Sequence, residues 1–289
     1  MRLITKKIAQ LLLIGVPFVT LVGCQKFSRP ALGDYPEDVP VSPTTPLRFY
    51  VNFDSSKAED KQINIRFKDS ISGYPSFFPN SSLGITPGVR GTGLSGADGA
   101  ALNYLSANDF ANSTSFTVSF WAKNTVPTGG KAQFAFTLPN KDYWSSTCMF
   151  LLFDHTGSGA TTDSAVVKFY VNDNSGDRWF ELVGANRMPN IYDGNWHHLV
   201  FAYNETNSTM SIYRDGALYK SLVWTGHGQF KVTPSSVFNV VVGGMNKHVK
   251  LPGPTDDWMS SWKGSIDQFR LYNKALSDAE VLALYTNKL

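Results

Sequence analysis

From Leu47 onward, apolar residues fall in short runs, some alternating with polar residues and some continuous, and Gly, Asn, Asp and Ser cluster between them. Side chains alternate across a strand and the intervening residues favour chain reversal, so this pattern predicts β-strands. The segments are "LRFYVNF", "SFTVSFWAKN", "AQFAFTL", "MFLLFD", "AVVKFYVND", "WFELVG", "WHHLVFAYN", "TMSIYRDG", "ALYKSLVW", "FNVVVGG" and "SIDQFRLYN". Many short strands with turn signals between them predict an all-β fold, two antiparallel sheets stacked as a jelly-roll sandwich. One segment reads as helix. Ser277 with Glu280 three positions on makes a capping box, Leu276 is placed to staple against Val281, and Val281, Leu284 and Tyr285 share a face. This short C-terminal helix is expected to close one end of the sandwich.

Before Leu47 the pattern changes twice. Residues 1–23 place Arg2, Lys6 and Lys7 ahead of an apolar run from Ile8 to Val22, as an export signal does. The rival readings are a plain secretory signal and a single membrane-spanning helix. The ending "LVGC" resembles the lipobox of bacterial lipoproteins, which implies lipidation at Cys24. Residues 24–46 then carry prolines at 30, 36, 40, 43 and 46 and almost no apolar periodicity, so they read as an extended tether. Residues 47–289 are long enough for one all-β domain with a substantial core.

Charge changes the picture by exclusion. The chain carries 26 basic and 23 acidic side chains, and three of the basic ones lie in the leader. What remains is balanced and lacks the concentrated positive surface that phosphate backbones require, so nucleic acid is excluded as a partner. Cys24 and Cys148 are the two cysteines. With Cys24 lipidated, neither an internal disulfide nor a cysteine zinc site is available.

The adjacent His197 and His198 invite a metal or catalytic reading. On a strand they point to opposite faces, and no HExxH spacing is present, so both are read as scaffold.

Taken in order, "GTGLSGADGAAL" (91–102), "SFTVSFWAK" (115–123), "DGNWHHLVFAYN" (193–204), "MSIYRDGALYKS" (210–221) and "GSIDQFRLYNKALSDAEVLALY" (264–285) resemble the laminin-G-like branch of the concanavalin A-like lectin/glucanase jelly rolls, as found in lipoproteins of Bacteroidota. The resemblance covers Leu47 to Leu289 and assigns Trp196 and His197 to the scaffold. It implies a polysaccharide-handling or adhesive role at the cell envelope, on an outer-membrane lipoprotein facing the periplasm or the cell surface. The acidic residues that often follow the cysteine in surface-exposed members are absent from "CQKFSRP".

Three kinds of chemistry bear on this fold. Glycoside hydrolysis needs two carboxyl groups flanking the scissile bond. The hydrolases of the resembled superfamily set them on one strand in an ExDxxE-like run, which this chain lacks; Glu181 stands alone in "WFELVG". A structural calcium is implied by the same resemblance, near the first and last strands, with Asp54 and Asp267 as ligands and Asp69 and Asp98 as weaker candidates. By parity with Phe269 and Leu271, Asp267 is expected to face a buried layer, where its charge needs compensation. Sugar binding needs aromatic platforms, and those in polar loops are Tyr143, Trp144, Trp179, Trp258 and Trp262. Trp121, Trp196 and Trp224 sit within strand patterns and are assigned to the core. The reading is a lipid-anchored, noncatalytic carbohydrate-binding module with a glycan as partner. The alternatives are an envelope protein that assembles with a protein partner and, less favoured, a glycoside hydrolase.

Overall fold

The computed structural model describes residues 45–54, 67–77, 82–127, 129–140, 142–155, 161, 163–232 and 239–288. The export signal, Cys24 and the tether as far as residue 44 lie outside the described residues.

Among the described residues sixteen strands make two sheets. The first contains β1 (Leu47–Val51), β2 (Gly84–Pro87), β3 (Thr92–Ser95), β5 (Phe116–Thr125), β11 (Asp193–Asn204), β12 (Thr209–Arg214), β13 (Ala217–Val223) and β16 (Ser265–Tyr272). Its order is β13-β12-β11-β5-β16-β3-β2, with β1 also paired to β16. The second contains β4 (Leu102–Tyr104), β6 (Ala132–Leu138), β7 (Met149–Asp154), β8 (Ser164–Asp173), β9 (Gly176–Leu182), β10 (Met188–Pro189), β14 (Val240–Val242) and β15 (Met259–Ser261). Its order is β10-β8-β7-β6-β14-β4; β9 pairs with β8, and β15 runs parallel to β6. The jelly-roll sandwich expected from the patterning is the fold observed.

The inner faces of the sheets bury Phe49, Val118, Phe120, Leu199, Phe201 and Phe269 against Phe136, Leu151, Phe169 and Val171. Rings meet across the gap, Phe169 with Phe201 at 5.2 Å and Phe136 with Phe269 at 5.5 Å. Each such buried ring contributes about 1.5–3 kcal/mol relative to exposure, so this layer dominates the stability of the fold.

The two outer faces differ. The last segment forms α1 (Asp278–Asn287) behind the Ser277 cap, where Ser277 N donates to Glu280 Oε2 at 2.9 Å and Glu280 N to Ser277 Oγ at 3.4 Å. α1 lies on the outer face of the first sheet rather than closing an end of the sandwich. Val281 packs with Leu276, Val200, Ala202 and Tyr213, and the Tyr285 ring stacks on Trp121 at 5.6 Å. Strand alternation is the reason, since Val200 and Ala202 point away from the inter-sheet core and need a cover of their own. Among the described residues the outer face of the second sheet carries no α-helix; a 3-10 turn, Asn246–Val249, packs Val249 on Val241 at one end of it.

Candidate functional site

That second outer face carries aromatic side chains. Thr137 pairs with Phe150, Phe150 with Tyr170 and Tyr170 with Trp179, so one row of side chains crosses β6 to β9 on the outward side. Phe150 and Tyr170 stack at 4.8 Å, and Tyr170 and Trp179 lie 4.8 Å apart. The next row, two residues along, runs Phe134, Leu152, Lys168 and Glu181.

Two loops bring further rings over this floor. A single 3-10 turn, Trp144–Ser146, is tied to β8 because Tyr170 Oη and Asn172 Nδ2 both donate to the Ser145 carbonyl, at 2.6 and 2.5 Å. This sets Trp144 against Phe150, Tyr170 and Trp179, at 6.5, 6.0 and 5.8 Å. Trp258 enters just before β15, 5.5 Å from Phe134 and 6.3 Å from Trp144. Tyr143 joins at the rim, 5.6 Å from Trp144. Tyr143 is 50 % exposed and Trp258 37 %, while Trp144 and Trp179 are half-buried. Four of the five aromatics chosen from the loops therefore converge on one patch.

The fifth does not. Trp262 is 1 % exposed, packs edge-on against Phe153 at 4.9 Å within the inter-sheet core, and donates from Nε1 to the Ser265 carbonyl at 3.3 Å. It follows β15 directly, and its backbone N–H to the Gly243 carbonyl turns the ring inward, so it offers no platform to a ligand. Of the three tryptophans assigned to the core, Trp121 is buried, and Trp196 and Trp224 are half-buried.

Charged groups border the rings. Lys168 Nζ lies 2.9 Å from Asp154 and 3.7 Å from Glu181, and Lys131 Nζ lies 2.6 Å from Asp257. Glu181, solitary in the sequence, thus belongs to a bridged trio. Beside Trp179 a hollow of about 440 Å³ is lined by Asp177, Arg178, Trp179, Glu181, Val183 and Leu222. Burial, and then the charge of Asp177, push the Tyr170 phenol up to about 12, so it stays a donor to Ser145.

The site residues missed in the sequence are Phe134, Phe150, Tyr170, Asp154 and Lys168. Their signal was the aromatic and aliphatic character of "AQFAFTL" and "MFLLFD" on both parities, which a strand with one solvated face does not need.

Asp54 and Asp267 also come together. Both accept from one loop: Thr92 N donates to Asp54 Oδ1 at 3.0 Å and Val89 N to Asp267 Oδ2 at 2.8 Å. Glycine is required there, since a β-carbon would sit 2.4 Å from Asp267 Oδ2 at Gly88 and 1.9 Å from Asp54 Oδ1 at Gly91. Asp267 is fully buried as expected, but not on the side that parity with Phe269 and Leu271 predicts. A bulge at Gln268, with φ 50°, shifts the register between Asp267 and Arg270. Ile266, Phe269 and Leu271 all reach the inner core, whereas Asp267 pairs with the outward Trp121 and lies under the loop. Burial chiefly, and the neighbouring Asp54 charge, push its carboxyl up to about 7 against the pull of backbone N–H donors.

Asp267 Oδ1 is buried without a hydrogen-bond partner, which leaves an oxygen for a cation, and carboxylate oxygens are the hard donors calcium takes. No group of three or more His, Cys, Asp or Glu side chains able to hold a metal ion occurs among the described residues, so peptide carbonyls or waters would complete any shell. Asp69 is elsewhere, its oxygens engaged by Tyr50 N, Ile71 N, Ser72 and Asn108. Asp98 pairs with Lys263 at 3.1 Å.

The histidines fall as alternation requires. His197 bridges Asp215 at 2.9 Å and Asp193 at 3.1 Å, and these bonds, Asp215 first, raise its pKa. His198 is buried on the other face against Ser119 Oγ at 3.0 Å, and burial holds it down to about 3. A third histidine, His227, joins Asp173 at 3.0 Å and Tyr203 Oη at 2.6 Å and stacks on Trp224 at 3.5 Å. This chain is buried at both His227 and Asp173, and it ties a loop to β8 and β11. Cys148 is buried, which raises its thiol pKa and leaves it unreactive.

Comparison with known proteins is consistent with this architecture. The family model described as the concanavalin A-like lectin/glucanases superfamily matches residues 94–282. Domain 4 of AbnA, a GH43 extracellular arabinanase from Geobacillus stearothermophilus, solved in complex with arabinotriose, aligns over 83 % of this chain and 98 % of its own, with 16 % identity and a TM-score of 0.53. The binding domain of Paraclostridial Mosquitocidal Protein 1 aligns over 84 % of this chain, with 14 % identity and a TM-score of 0.53. The botulinum neurotoxin serotype D ligand binding domain, in complex with N-acetylneuraminic acid, aligns over 84 % with 15 % identity and a TM-score of 0.51. The chain spans about half the length of these two toxin domains, 52 % and 51 %. At these identities the likeness is one of fold. No curated protein matches by sequence.

Proposed function

The chain belongs to the concanavalin A-like lectin/glucanases superfamily, and from the ring cluster on its second sheet we propose that it is a noncatalytic carbohydrate-binding module. The single observation behind this reading is the convergence of Tyr143, Trp144, Trp179 and Trp258, from three separate segments, over the buried floor of Phe134, Phe150 and Tyr170, with Tyr143 and Trp258 exposed and Trp144 and Trp179 half-buried. Adjacent aromatics that keep part of their surface in solvent mark a binding site, and the apolar faces of sugar rings match aromatic rings bordered by carboxylates and amines. That structural relatives include domains solved with arabinotriose and N-acetylneuraminic acid supports the reading.

Binding without cleavage is part of the proposal. A glycosidase needs two carboxyl groups flanking the scissile bond. Asp154 and Glu181, beside the rings, are both already paired with Lys168, which leaves neither free for that role. Covering one ring contributes about 1.5–3 kcal/mol, and a millimolar Kd requires about 4.1, so two or three rings with hydrogen bonds give weak binding that many copies on a membrane would reinforce. Titration of the chain against a glycan panel tests this. Trp144→Ala, Trp179→Ala and Trp258→Ala are each expected to weaken binding about tenfold or more, and binding indifferent to all three would overturn the reading.

We further propose lipidation at Cys24 and residence on the outer membrane, with the domain on the periplasmic or surface side. Cys24→Ser is expected to move the protein from the membrane to the soluble fraction. At Asp54 and Asp267 we propose calcium, whose charge would compensate the buried carboxylate. The second functional reading, an envelope protein with a protein partner, has its own support in a hollow rimmed by Tyr74, Phe77 and Leu105, the most exposed large apolar side chains among the described residues. A partner whose stoichiometric co-purification is lost on Leu105→Ser, with glycan binding absent, would favour it.

A further inference from the structure

The chemistry around the tryptophans narrows what they accept. Among the described residues, the lysines bordering the rings are each engaged. Lys168 is held by Asp154 and Glu181, and Lys131 by Asp257. Lys247 donates to the Asp256 carbonyl at 2.6 Å. Asp177, close enough to Tyr170 to act on its phenol, adds negative charge at the same border. Arg178, which shares the hollow beside Trp179, donates to the Val223 carbonyl at 3.3 Å and lies 5.9 Å from the centre of the Phe180 ring. A uronate, sulfate or sialate needs an unengaged ammonium or guanidinium to replace its lost hydration. At Lys168 and Lys131 it would have to displace a carboxylate already in place, and at Lys247 a peptide carbonyl.

The ring planes carry the second constraint. Trp144 is tilted 89° from Trp258 and 57° from Trp179. The flat face of a crystalline polysaccharide presents coplanar sugar rings and can cover several aromatics only where those are coplanar too. A single chain in solution turns between successive residues, so each sugar can meet its own indole.

We propose that this face selects soluble, uncharged glycan chains and discriminates against both anionic polysaccharides and crystalline surfaces. The proposal rests on the carbohydrate-binding reading and specifies its ligand class.

The test uses the full chain in calorimetric titrations at low salt against soluble neutral polysaccharides (arabinan, xyloglucan and mannan) and against polygalacturonate, with sedimentation on microcrystalline cellulose alongside. Binding is expected for at least one neutral chain, about tenfold or more weaker binding for polygalacturonate, and no depletion by cellulose. Equal or tighter binding of polygalacturonate, or depletion by cellulose, overturns the selectivity while leaving carbohydrate binding intact; no binding to any of them overturns carbohydrate binding itself. The double variant Asp154→Asn with Glu181→Gln releases Lys168 and is expected to raise polygalacturonate affinity about tenfold, a gain lost again in about 0.5 M salt. A variant that keeps its neutral ligand and gains nothing overturns the electrostatic half of the proposal.

Discussion

His197 and His198 are neighbours with opposite titration behaviour. His198 is neutral in the folded protein down to about pH 3, whereas in the unfolded chain it takes a proton near its ordinary 6.5. The unfolded state therefore binds more protons between those values, and stability falls as the pH drops through that window, by up to about 1.4 kcal/mol per unit. His197, raised by Asp215 and Asp193, contributes in the other sense: its stabilisation is complete below about 6.5 and is lost as the pH rises through its folded value. Urea denaturation between pH 3 and 7 is expected to show a shallower acid loss for His198→Gln than for the wild-type chain; identical slopes would contradict the burial argument. Asp267 gives a separate test. Calcium is expected to raise the Tm of metal-free protein, and Asp267→Asn to remove that response, as followed by thermal melts with and without chelator.

At the scale of elements, α1 depends on its cap. Ser277→Ala removes the acceptor for Glu280 N and is expected to cost about 0.5–2 kcal/mol in chemical denaturation. Trp262→Ala, which empties a core position, is expected to cost about 3–5 kcal/mol. Strands such as β6, β7 and β16 were legible because their apolar patterning is long enough to register. β2, β3 and β15, with sequences GITP, TGLS and MSS, were not, because short Gly-, Pro- and Ser-containing strands owe their pairing to neighbours rather than to their own residues. The Gln268 bulge was equally invisible, since nothing in "SIDQFRLY" announces a left-handed residue, and it reversed the side that Asp267 faces. Trp262 misled for a related reason: "TDDWMSSW" reads as one polar loop, but β15 begins within it and turns its second tryptophan inward.

For the whole molecule, the decisive feature is the asymmetry between its outer faces. The first sheet is covered by α1; the second presents a ring cluster edged by paired charges. Polar-loop composition was enough to select four of the aromatics, but their meeting on one face is a property of strand order, which single segments do not encode. The seven tryptophans divide by burial and position, so their indole N–H resonances report separately on platform and core. Titrating the 15N-labelled chain with a soluble neutral oligosaccharide that binds it is predicted to shift the signals of Trp144, Trp179 and Trp258 and leave those of Trp121 and Trp262 in place. Shifts at the buried pair with none at the other three would contradict the account.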